Sequence, residues 1–231
     1  MNLLRAELGR LTARRFVRLM VVLLVVAGGL AMATTVASSS PPDAQRVAAA
    51  ARQAAEERAN AARFLAECRA ARAPGAPQSL REKYPPCERI DVNQPVTEDF
   101  LYGVFVFDRQ IKVLLLVLAA FLALFGFLVG ASYVGAELAS GGMTNLLLWR
   151  PRRGRVLGTK LAAVTGGVFV ASVLATLLYV GGFWLIGQTV GLPGRVTAHE
   201  WGAHGLLALR GIGVAVVATV VGFCVATLGR H

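Results

Sequence analysis

"VLLLVLAAFLALFGFLVGASYV", Val113 to Val134, runs through its whole length without a charged residue. Crossing the hydrocarbon of a bilayer takes about 20 mostly apolar residues as a helix, because a backbone in lipid must satisfy its own hydrogen bonds. The stretch therefore reads as a transmembrane helix. Working outward, three more segments meet the same requirement: Phe16 to Ala37, Leu161 to Gly187 and Leu206 to Leu228. Of the 231 residues, 55% are hydrophobic and 16% charged. Mean hydropathy is +0.58, too apolar for an ordinary soluble domain. The expected fold is all-α: a polytopic membrane protein of four transmembrane helices, with an N-terminal interfacial helix and a helical external segment.

The basic residues orient this chain. A net charge of +11 and a pI near 10.7 suit a nucleic-acid reader only when the charge lies on a soluble surface. Here the cations sit beside apolar runs, so no nucleic-acid partner is expected. Arg5, Arg10, Arg14, Arg15 and Arg18 precede or open the first span. Arg150, Arg152, Arg153, Arg155 and Lys160 lie between the second and third, whereas the third and fourth are separated by Arg195 alone. The positive-inside bias then places both basic segments in the cytosol. The resulting order is a cytosolic interfacial helix over residues 1–15, spans at 16–37, 113–134, 161–187 and 206–228, an external segment at 38–108, a cytosolic segment at 135–160 and an external loop at 188–205. Trp184 and Trp201 would mark the outer interface and Trp149 the inner one.

Two readings of the start compete. Leu4, Leu8 and Leu11 form a stripe at helical spacing with Arg5, Arg10 and Arg14 off it, as in a helix resting on the inner membrane surface. The arginines, the apolar core and Ala31 to Ala33 also resemble a cleavable signal peptide, although the apolar stretch exceeds the usual length of one. Beyond the breakers Ser38 to Pro42, "DAQRVAAARQAAEERANAARFLAECRAAR" reads as one continuous helix, ending by Ala73 to Pro77. Glu56, Asn60 and Arg63 fall on its solvated side, and Phe100, Tyr102, Phe105 and Phe107 are expected along the membrane surface. Cys68 and Cys87 both lie in this exported segment, where an oxidising compartment favours a disulfide between them. Cys224, inside the fourth span, is expected to be a small buried residue.

Chemistry is sparse. Lys112 and Arg210 lie toward span ends, where they can snorkel. The hydroxyls Thr165, Ser172 and Thr176 have no base partner in the sequence and are expected to bond to helix backbone. "HEWGAH", His199 to His204, spaces its histidines five apart, about 140° around a helix, whereas a shared zinc needs four; it reads as a loop or interfacial turn with no metal. "GRVLGTK", Gly154 to Lys160, puts Thr159 before Lys160 and three residues between its glycines, so it is no phosphate loop. The chain is expected to be no enzyme and to hold no cofactor. Any ATP it uses must be bound by another polypeptide.

The segment after the second span carries a pattern: Glu137, Gly141 and Gly142, Leu146 and Leu147, Pro151, Arg153 and Arg155, then Lys160 and Leu161. This pattern resembles the stretch between the second and third spans of type-2 ABC transporter permeases, with Met143 where that family often has Thr and Arg152 where it often has Ser. The resemblance extends to the N-terminal interfacial helix, the large external segment and the order of spans. It implies a plasma-membrane exporter subunit with a cytosolic N-terminus, dimerising with itself or a related permease, surrounded by membrane lipid and docked on an ATP-binding cassette ATPase. On this resemblance Glu137, Gly141, Gly142, Leu146, Leu147, Trp149, Pro151, Arg153, Arg155 and Lys160 would couple the ATPase to export of an amphipathic drug, lipid or similar substrate. Family members have six spans, so the four seen here imply a truncated permease. The competing expectation is a non-transport membrane protein for assembly or signalling, whose external segment binds a partner.

Overall fold

The computed structural model describes residues 2–75, 77, 79, 84–94, 96–139, 153–194 and 196–229. Among the described residues six α-helices carry the fold: α1 (Asn2–Ala13), α2 (Arg15–Ser38), α3 (Ala44–Ala71), α4 (Phe107–Ala139), α5 (Arg153–Thr189) and α6 (Ala198–Leu228). Two short 3₁₀ turns, Cys87–Arg89 and Thr97–Phe100, lie on the return from α3 to α4. No strand occurs among the described residues. The helices α2, α4, α5 and α6 are long and apolar enough to cross a bilayer, so the molecule is an all-α, multi-pass membrane protein.

Helix α4 is the axis of the bundle. It packs along α6, which runs parallel to it, and beside the antiparallel α5. Between apolar helices in lipid there is little hydrophobic drive, so close approach through small residues takes its place. A Cβ built on Gly126 would stand 2.5 Å from the Ala215 carbonyl oxygen and 2.6 Å from Thr219 Oγ1, and Gly130 faces the Thr219 backbone as closely. In return, Gly222 of α6 faces the backbone of Phe127 and Ala131. Thr219 is completely buried. Its hydroxyl donates to the Ala215 carbonyl at 2.7 Å, satisfying its own polarity within the helix.

Aromatic packing fills the end of the bundle that bears α3. Phe105, Phe107 and Phe183 are almost wholly buried there with Tyr179 and Ile111. Phe105 and Phe107 thus lie between helices rather than along a membrane surface, because the returning segment bonds to the loop after α5: Phe107 N–H donates to the Leu192 carbonyl (3.0 Å) and Leu192 N–H to that of Phe105 (2.8 Å). Ser40 N–H also reaches the Gly103 carbonyl (2.9 Å). Gly103 takes φ +72°, a left-handed conformation that costs a glycine little.

Helix α3 opens with Asp43 accepting from Arg46 N–H at 2.7 Å, a side-chain N-cap. Ala50 packs it against Leu101 and Val104, Ala54 is fully buried, and Glu56, Asn60 and Arg63 are exposed. Its far end is tied by a disulfide between Cys68 and Cys87, whose Cα atoms lie 5.9 Å apart.

Two expectations fail at α6. Its helix begins at Ala198, so His199 to His204 form its first turns rather than a loop. A reciprocal cap starts it, Thr197 Oγ1 accepting from Glu200 N–H (3.3 Å) and the Glu200 carboxylate accepting from Thr197 N–H (2.6 Å). Cys224 is exposed on the outside of α6 rather than buried, because Gly222 and Phe223 occupy the inward face at that level.

The close α4–α6 contact yields a test. Gly126→Val should destabilise the protein by about 1–3 kcal/mol through overpacking, measured as a fall in thermal midpoint in detergent. Gly213→Ala, where an added Cβ meets nothing within 4 Å, should leave it unchanged or raise it slightly.

Candidate functional site

At the other end of the bundle, a chain change of direction brings three helices to one carboxylate. Arg14 is extended (φ −69°, ψ 126°) and separates α1 from α2, so α1 turns back across the ends of α4 and α5. Leu11 of α1 is buried against Val164 and Val168 of α5 and meets Gly167, where an added Cβ would lie 2.6 Å from it. This seats Glu7 between the two helices, with 5% of its surface exposed.

The Glu7 carboxylate is surrounded by donors. Tyr133 of α4 donates its hydroxyl to Oε2 at 2.5 Å, Lys160 of α5 its ammonium to the same oxygen at 3.1 Å, and Arg10 of α1 a guanidinium N–H to Oε1 at 3.1 Å. Tyr133 and Lys160 are themselves buried. Arg14 completes the cluster: its guanidinium carbon stands 4.4 Å from the Tyr133 ring centroid, and it donates to the carbonyls of Ser132 (3.2 Å) and Tyr133 (2.7 Å). Arg14 is therefore turned into the structure, not displayed on a solvated face of α1.

Burial by itself pushes the Glu7 carboxyl upward in pKa. Donation from Tyr133 and Lys160, with the positive charges of Lys160 and Arg10, outweighs it and holds the group below its ordinary value of 4.5. The carboxylate is thus charged, paired and hydrogen-bonded, the condition under which a buried ion is tolerated. Chemically the cluster is a clamp: it contains no activated nucleophile. Among the described residues no group of three His, Cys, Asp or Glu side chains could hold a metal.

The clamp redistributes the residues singled out in the sequence. Lys160, expected among the ATPase-coupling residues, has 1% of its surface exposed and is paired with Glu7. Glu137 lies in the last turn of α4, and Arg153 and Arg155 open α5. Gly141, Gly142, Leu146, Leu147, Trp149 and Pro151 lie outside the described residues. Sequence reasoning missed Glu7 and Tyr133. The available signal was that Glu7 is the one acidic residue before Asp43.

Polar groups elsewhere are mostly absorbed by backbone. Thr165 donates to the Leu161 carbonyl (2.7 Å) and Thr176 to that of Ser172 (2.8 Å). Ser172 Oγ and His204 Nε2 are buried without a hydrogen-bond partner among the described residues; His204 Nε2 lies 3.9 Å from Asp108 Oδ1. Comparison with known proteins gives no match to this chain, whether with family models, curated proteins or solved structures.

Breaking the clamp should be costly in a pattern that identifies it. Lys160→Met leaves a buried carboxylate short of its partner and should cost about 3–5 kcal/mol; Tyr133→Phe should cost about 1–3 kcal/mol. Glu7→Leu combined with Lys160→Met should recover much of the loss, read by thermal unfolding in detergent. The pH response has a fixed sign. A carboxyl depressed in the folded protein contributes its full stabilisation above 4.5, and loses it as pH falls through the lower folded value. Protease cleavage within α1 should therefore accelerate only below that ordinary value, and Glu7→Gln should remove the acid dependence.

Proposed function

We propose that this chain is a membrane-spanning permease subunit of an ATP-driven exporter, residing in the plasma membrane with its N-terminus and the segment 140–152 in the cytosol. The observation that carries this reading is the Glu7 clamp. It fastens α1 to both helices that bracket the basic segment, so a push on that segment would be delivered to α1, α4 and α5 together. Helix α6 would follow, since Gly126, Gly130 and Gly222 lock it to α4. A partner ATP-binding cassette ATPase would supply the push, and a second permease subunit would complete the pathway for an amphipathic substrate such as a drug or lipid.

In this mechanism Lys160 positions the coupling segment instead of touching the ATPase. Glu137, Arg153 and Arg155, at the two helix ends, remain the contacts closest to it. A second reading, an assembly or signalling subunit without transport, is favoured by α3: from Ala55 to Glu67 only Ala61 and Leu65 are even partly covered, which leaves a long helical surface for a partner.

Affinity purification of the intact chain from native membranes separates these readings. An ATP-binding cassette ATPase should co-purify, and Glu137→Ala with Gly142→Leu should lower its recovery at least tenfold while leaving the permease folded. Recovery of other partners without any ATPase would favour the assembly reading and sink the exporter one. Orientation has its own check. With Cys224 replaced by Ser, a cysteine at Ala55, exposed on α3, should react with an impermeant maleimide in intact cells, and one at Gly154, exposed at the start of α5, should not.

A further inference from the structure

A groove of about 520 Å³ opens between α2 and the faces of α4 and α5. Val21, Val25 and Gly29 form one wall, and Phe121, Leu174 and Tyr179 stand opposite. Among the described residues every one lining it is uncharged, and Tyr179 supplies the only side-chain hydroxyl. Helix α2 leaves room there because it is only shallowly seated: Val17 is its one buried residue, while Leu24 and Met32 are partly covered against the core. An apolar gap of this kind does not hold water.

Shape and charge specify an occupant. From Val21 to Met32 the groove follows the middle of α2 for about 16 Å at the rise of an α-helix, a length that an extended acyl chain can fill. Arg18 precedes Val21 by three residues and Val25 by seven, so it lies on the groove face one turn beyond its end. Arg15 lies a further turn along the same stripe, and both are exposed. The site is thus an apolar slot within the span, with two guanidinium groups beyond its near end, toward the level where headgroup phosphates lie.

We propose that this groove binds one acyl chain of an anionic phospholipid, with the headgroup phosphate paired to Arg18 and Arg15. Arg suits the role because its planar fork can present two N–H donors to phosphate oxygens. The slot supplies retention through apolar contact, and the cations supply the preference for a net negative headgroup. This site is independent of the exporter reading, since it needs neither an ATPase nor a transported substrate.

The purified chain in lipid nanodiscs tests it with two probes sharing one diazirine-bearing acyl chain, a phosphatidylglycerol and a phosphatidylcholine. Adducts mapped by mass spectrometry should concentrate on Val21 to Met32 and on Leu174 to Tyr179, with the anionic probe favoured several-fold. Arg18→Gln should cut that preference about fivefold. Gly29→Leu, which adds a side chain where nothing lies within 4 Å of the new Cβ, should reduce labelling by either probe at least fivefold. Equal labelling by the two probes, adducts as dense on the exposed Val217 of α6, or no response to Gly29→Leu would overturn the proposal. So would disulfide pairing of two copies through a Gly29→Cys variant, which would show a second copy of the chain in the slot.

Discussion

A carboxylate removed from water must find donors for its oxygens or surrender its charge. At Glu7 the donors come from three different helices, and this requirement shapes one whole end of the molecule. α1 cannot swing free without stranding the carboxylate, the Tyr133 hydroxyl and the Lys160 ammonium together. The direction of α1 is therefore fixed by polar chemistry at a place where apolar contact alone, through Leu11, would permit sliding. The break at Arg14 serves the same end: its guanidinium spans the gap between helices by bonding to carbonyls of α4.

Apolar packing and polar fastening divide the bundle between them. Through the middle, α4 and α6 meet backbone to backbone at glycines, an arrangement that resists separation because dispersion contact falls off steeply with distance. α2 has no such seam. It contributes one buried residue and leaves the slot beside Tyr179 open. The molecule thus combines a stiff pair, α4 with α6, a clamped unit, α1 with α5, and a lightly held helix at the rim.

The membrane-spanning character was legible because length and apolarity are one-dimensional properties. The pairing of Cys68 with Cys87 was accessible for a similar reason, since two cysteines share the segment between the first two spans. Which glycines mattered was not. Gly28 and Gly29, Gly181 and Gly182 look equivalent in sequence, yet one of each pair meets a neighbour and the other faces open space, because adjacent residues on a helix point about 100° apart. The tightest contacts, at Gly126, Gly130 and Gly222, fall inside uniformly apolar runs whose periodicity does not reveal the inward face. Lys160 was noticed for its charge and assigned outward, the usual place of a lysine in a basic cluster. Only the fold of α1 supplies the anion that brings it inside. The helical start of α6 was hidden behind Pro193 and Gly194, which suggest a loop, although Thr197 and Glu200 carry a capping signature that places the boundary correctly.

The bond from Ser40 N–H to the Gly103 carbonyl closes the base of the arm formed by α3 and its return. Chain entry and chain exit are thereby adjacent, so the arm hangs from the bundle as a peninsula from a narrow isthmus. A body attached in this way can change in length or sequence with little effect on how α2 and α4 meet the lipid. Evolution is free to remodel the outlying part of the chain while the helices beneath it keep their register.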